Sequence, residues 1–124
     1  MRNQQQQEIQ QQLINELQTI LEINKARLEG HKTTLKDLES QQEKAKLAKE
    51  QAEAELRQFD ASYGDTALTE DQQKERNRLV GNVSSAESSY NTITGEVNAQ
   101  QEFVNQNQTI VDTQESNLTA EKSK

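Results

Sequence analysis

Apolar residues recur along this chain at alternating steps of three and four, and no proline interrupts them. Such steps return to one face of an α-helix every two turns, and a sustained series defines a coiled-coil seam. Without proline, nothing in the backbone forces such helices to stop early. The first seam runs Ile14, Leu17, Leu21, Asn24, Leu28, His31, Leu35, Leu38, Gln42, Ala45, Lys49, Ala52, Leu56, Phe59 and Tyr63. Its a sites are Ile14, Leu21, Leu28, Leu35, Gln42, Lys49, Leu56 and Tyr63, and the rest are d sites. The second seam runs Gln72, Arg76, Leu79, Val83, Ala86, Tyr90, Ile93, Val97, Gln100, Val104, Asn107, Val111, Gln114, Leu118 and Glu121.

Composition narrows the choice further. Hydrophobic residues make up 30% of the chain and aromatics 3%, against about 45–50% apolar residues in ordinary globular proteins. Such a chain has too little apolar volume for a compact core. It is either disordered or built from helices that bury a narrow stripe. The unbroken heptads select helices. The weakest segment is "VGNVSSAESSYNTITGE" (80–96), which is poor in strong helix formers and carries Gly81 and Gly95. Both glycines fall at outward-facing f positions.

The seams are separated by a stop and a start. Gly64 follows the last apolar a site and suits the left-handed residue that closes a helix. Thr69 is a helix N-cap, and Gln72, three residues on, completes a capping box. Glu70 and Asp71 sit in the first turn, where the helix dipole favours negative charge. So short a connection implies antiparallel neighbours. The expected fold is all-α: one antiparallel two-helix coiled-coil hairpin over 1–124, with helices at about 3–63 and 70–121 and a turn at 64–69.

In an antiparallel pair, a sites stack on d sites of the other helix. Matching Tyr63 to Gln72 places Phe59 on Arg76, Leu56 on Leu79, Ala52 on Val83, Lys49 on Ala86 and Ala45 on Tyr90. Further from the turn come Gln42 on Ile93, Leu38 on Val97, Leu35 on Gln100, His31 on Val104 and Leu28 on Asn107. The last are Asn24 on Val111, Leu21 on Gln114, Leu17 on Leu118 and Ile14 on Glu121. No layer is polar on both sides, but few are apolar on both. An isolated hairpin of this kind is marginal, because ordering costs about 1–2 kcal/mol per residue. A second apolar stripe suggests what covers it. Leu13, Ile20, Phe103 and Ile110 occupy g sites and lie, with Ile9, at the end far from the turn. Packing of copies through this stripe into an oligomeric helical bundle is the expectation.

Few residues suggest chemistry. His31 is the only histidine, and no cysteine or second histidine stands at metal-ligand spacing. It reads as a polar residue tolerated at a d site. Asn24 and Asn107 are polar seam residues that either fix register or are simply tolerated there, and they lie in adjacent heptads of the expected stack, within reach of each other. Carboxylates are frequent, but acid–base catalysis needs a concave pocket, which two helices do not form. No phosphate loop, nucleophile motif or calcium loop occurs. No enzymatic activity, cofactor or metal is therefore expected. The glutamine-rich tract 4–12 reads as a helical lead-in. The Asn-x-Ser/Thr triplets at Asn82, Asn107 and Asn117 read as chance matches in a chain rich in those residues.

The net charge is −7. Residues 1–63 hold 9 Lys/Arg and 11 Asp/Glu, whereas residues 64–124 hold 5 and 10. From Leu79 to Glu121 there is no Lys or Arg. Binding to nucleic acid or to an anionic membrane needs a basic face, so neither is expected. The start of the chain lacks the apolar core of a signal peptide, and no apolar run reaches the length of a membrane span. The expected location is the cytoplasm or a macromolecular assembly.

These features point to a structural or assembly protein that forms homo-oligomers or joins a larger complex, as a virion, scaffold or secretion-apparatus component would. Two other readings compete with it. One is an acidic regulatory module that docks on and blocks a basic partner surface. The other is a holdase-like chaperone that grips clients through the apolar stripe.

Overall fold

A computed structural model describes residues 2–124. Helix α1 spans Arg2–Tyr63 and helix α2 spans Glu70–Lys122. They pack against each other as a helical hairpin, with no strand among the described residues. Helix α2 runs through 80–96 without interruption. Gly81 and Gly95 leave the helical backbone intact at a propensity cost of about 1 kcal/mol each.

The turn is built from local hydrogen bonds. Gly64 takes φ 54°, and its N–H donates to the Asp60 carbonyl at 2.9 Å. That bond satisfies one of the carbonyls left over at the end of α1. The N–H of Thr66 donates to the Tyr63 carbonyl at 3.0 Å. At the start of α2, the Thr69 hydroxyl accepts from the Gln72 N–H at 3.2 Å, and the Gln72 side chain accepts from the Thr69 N–H at 2.9 Å. This reciprocal pair satisfies two otherwise free donors.

Contacts divide the chain into a terminal unit, reaching up to Leu35 and including Ala99–Lys124, and a turn unit, Lys36–Asn98. In the terminal unit, Leu21, Leu28 and Leu35 of α1 and Val104, Val111 and Leu118 of α2 are buried. Each set recurs every seven residues, so each helix contributes one line of side chains to a narrow core. In the turn unit only Ala52 and Leu79 are buried. The other positions of both seams are half-buried. No side chain anywhere among the described residues is fully enclosed. Each of these side chains therefore gains somewhat less than the ~1.5–3 kcal/mol that complete burial of a Leu or Val provides.

Polar contacts cross between the two helices in each unit. In the terminal unit, Asn24 donates to Gln114 at 2.9 Å, and Gln10 donates to the Glu121 carbonyl at 2.9 Å. Lys25 pairs with Glu115 at 3.3 Å on the surface. In the turn unit, Gln42 donates to Thr94 at 3.0 Å. The Lys49 ammonium sits 5.3 Å from the centre of the Tyr90 ring. This cation–π contact explains how a lysine occupies a seam position: its stem packs and its charge rests on an aromatic face.

The glycines separate backbone demand from packing demand. A Cβ at Gly64 meets nothing within 4 Å, so only its positive φ resists substitution. Gly64→Ala should lower the unfolding free energy by about 1–2 kcal/mol. Gly81→Ala and Gly95→Ala, also without a neighbour within 4 Å, should each raise it by roughly 0.5–1 kcal/mol. Urea unfolding followed by circular dichroism measures both signs.

Candidate functional site

The terminal unit carries an apolar face outside its core. Ile9, Leu13, Ile20, Phe103 and Ile110 are all exposed, from 39% at Leu13 to 62% at Ile9. The g sites of antiparallel helices lie along one flank, which brings the α1 and α2 members to the same side of the pair. Ile23, half exposed at 50%, extends this face. It stands at a c site, beside the g line and one turn from Ile20, and a search of g sites alone passes over it. Its signal was the three-residue step from Ile20. In the turn unit Leu47 and Val80 are also exposed. They stand singly, as surface apolar residues commonly do.

The opposite flank differs in character. Lys25, Glu115, Lys32 and Glu29 lie there, joined in ion pairs between Lys25 and Glu115 and between Lys32 and Glu29. Exposed pairs of this kind contribute little stability. Their placement does segregate charge from the apolar flank. A chain whose surface is otherwise rich in Gln, Asn and charged residues thus keeps most of its large exposed apolar residues on the terminal unit.

His31 lies beneath this face. Its ring is half-buried and stacks on Phe103, with centroids 5.9 Å apart and planes at 17°. The Gln100 amide nitrogen is 3.2 Å from His31 Nδ1 and donates to the His31 carbonyl at 3.0 Å. With Gln100 as donor, Nδ1 is the acceptor. The contact sets the Phe103 ring against α1. Asn24 and Asn107 are not bonded to each other. Asn24 reaches Gln114 and its own helix at Ile20, and Asn107 donates to the Phe103 carbonyl one turn back. Asn24 is therefore the asparagine that links the two helices.

Among the described residues, no cluster of three or more His, Asp or Glu is placed to hold a metal ion. The concavities are shallow. One lies along α1 beside Gln12, Glu16 and Ile20, and another lies between Ala45, Ala52 and Ser89 in the turn unit. Among the described residues, no helix is long and apolar enough to cross a membrane. Comparison with protein families, with characterised proteins and with solved structures finds no match to this chain. The site is thus defined by its surface physics alone.

One ionic contact ties the last turn of α1 to the first turns of α2. Arg76 donates to both carboxylate oxygens of Asp60, at 2.8 and 3.1 Å. These hydrogen bonds hold the Asp60 carboxyl below its ordinary value, against a smaller opposing effect of desolvation and with help from the guanidinium charge. A depressed carboxyl value means that the folded state favours the ionised form. Its contribution is present above the ordinary carboxyl range and is lost as the pH falls through the lowered value. The stability difference between the native chain and an Asp60→Asn variant should therefore be widest near neutral pH and close in strong acid. Thermal melts across that range test the sign.

Proposed function

We propose that this chain is a non-enzymatic structural protein, a coiled-coil hairpin that acts as a subunit of a larger, mainly homo-oligomeric assembly. The observation that carries this reading is the exposed apolar face of a unit that fully encloses none of its own side chains. Contiguous exposed apolar surface marks contact sites. A two-helix core this thin also gains stability from every layer packed against it. Pairing two hairpins through this flank would bury Ile20, Ile23, Phe103 and Ile110 in a four-helix bundle. The proposed partner is protein, with no nucleic acid, membrane or cofactor in the mechanism, and the proposed location is inside such an assembly.

A second reading draws on charge. Helix α2 has no basic residue from Leu79 to Glu121, and an acidic helix of this kind suits docking on a basic surface. It predicts a stable monomer whose affinity for a partner falls steeply with salt. The holdase reading rests on the same apolar face as the assembly reading.

Sedimentation velocity across a wide concentration range separates these outcomes. The assembly reading predicts a mass that rises with concentration. It also predicts that Ile20→Glu and Phe103→Glu, both at exposed positions, return the chain to monomer while helical content is retained. A cooperative, stable monomer at every concentration would refute self-assembly.

A further inference from the structure

This inference rests on the self-association proposed above and specifies its geometry. In the terminal unit the c and g sites of α1 form a second line at alternating steps of three and four: Leu13, Glu16, Ile20, Ile23, Arg27 and Gly30. All six are exposed. The line has the spacing of a seam but no helix covers it. Its two charges have opposite sign. Among the described residues neither Glu16 nor Arg27 makes an ion pair, although other charged residues of α1 do.

The order of residues is what matters. Glu16 lies four positions before Ile20, and Arg27 lies four positions after Ile23. Leu13 lies three before Glu16, and Gly30 lies three after Arg27. The line therefore complements its own reverse about a point between Ile20 and Ile23. We propose that this face is an isologous interface, with α1 packed antiparallel on α1 of a second copy across a two-fold axis at that point. Ile20 of each copy then meets Ile23 of the other. Glu16 of each meets Arg27 of the other, so two ion pairs flank an isoleucine centre. Leu13 of each lies over Gly30 of the other, where a Cβ would find nothing within 4 Å and the surface is open to receive a leucine.

Charge complementarity selects this occupant. A parallel pairing in register would set Glu16 on Glu16 and Arg27 on Arg27, and like charges at an interface are costly. A different protein would have to supply both charges and a central apolar pair in matching order. A second copy has them already, and two-fold pairing is the commonest way for identical chains to associate. Phe103 and Ile110 of α2 lie on the same flank and widen the apolar contact.

The test is sedimentation equilibrium on the full chain with single and paired charge reversals. Glu16→Arg should raise the dimer dissociation constant by at least about tenfold, and so should Arg27→Glu, because each sets two like-charge contacts at the interface. The double reversal should recover most of the native affinity. Unchanged circular dichroism shows that each variant is folded. A second measurement does not depend on charge: under mild oxidation, chains carrying Ile20→Cys mixed with chains carrying Ile23→Cys should cross-link far faster than either alone. A native chain that stays monomeric would overturn both this inference and the assembly reading. A native chain that self-associates but is indifferent to the single reversals, or is not rescued by the double reversal, would overturn the antiparallel register alone. So would preferential cross-linking of either cysteine variant with itself.

Discussion

Two lines of aliphatic side chains, Leu21, Leu28 and Leu35 of α1 and Val104, Val111 and Leu118 of α2, hold the terminal unit together. Each line has one residue per heptad. Intervening positions carry Asn24, His31, Asn107 and Gln114, which are only half-buried. A core of this width brings the helices together but seals nothing from solvent. That limit accounts for the rest of the molecule: polar residues survive in the seam because water or a neighbouring amide still reaches them. Among the described residues, no buried side-chain donor or acceptor lacks a partner.

The polar seam adds directional contacts to the thin apolar core. Hydrophobic contact is non-directional, and successive leucine layers resemble one another after a slip of one heptad. The Asn24–Gln114 bond and the Gln100–His31 contacts in the terminal unit exist in one alignment only. In the turn unit, Gln42–Thr94 and Asp60–Arg76 serve the same end. The amide bonds Asn24–Gln114 and Gln42–Thr94 are each worth only about 0.5–1.5 kcal/mol.

Much of the fold was legible in the sequence. Two helices, the stop at Gly64 and the start at Thr69 follow from local rules: no proline, a glycine that accepts positive φ, and a hydroxyl three residues before a glutamine. Each signal lies within a few residues, so no tertiary information was needed to read it. Less of the candidate surface was legible. The g-site residues Leu13, Ile20, Phe103 and Ile110 stood out because they depart from the seam, but Ile23 became visible as part of the face only when its exposure was known. Asn24 and Asn107 were equivalent in the pattern, and the structure distinguished them by the reach of an amide to Gln114.

The heptad pattern by itself determined that the chain is helical and folds back once, because periodicity and turn chemistry are properties of the covalent chain. It also determined which side of each helix faces the other. Only the tertiary structure decided how well that side is covered. Burial depends on what stands opposite, and opposite several leucines stand small or polar residues. Tertiary contacts likewise decided that His31 packs under Phe103 and that Glu16 and Arg27 have no ion-pair partner within the described residues. An ion pair is a matter of distance between side chains remote in sequence, and the order of residues does not state that distance until the helices are placed.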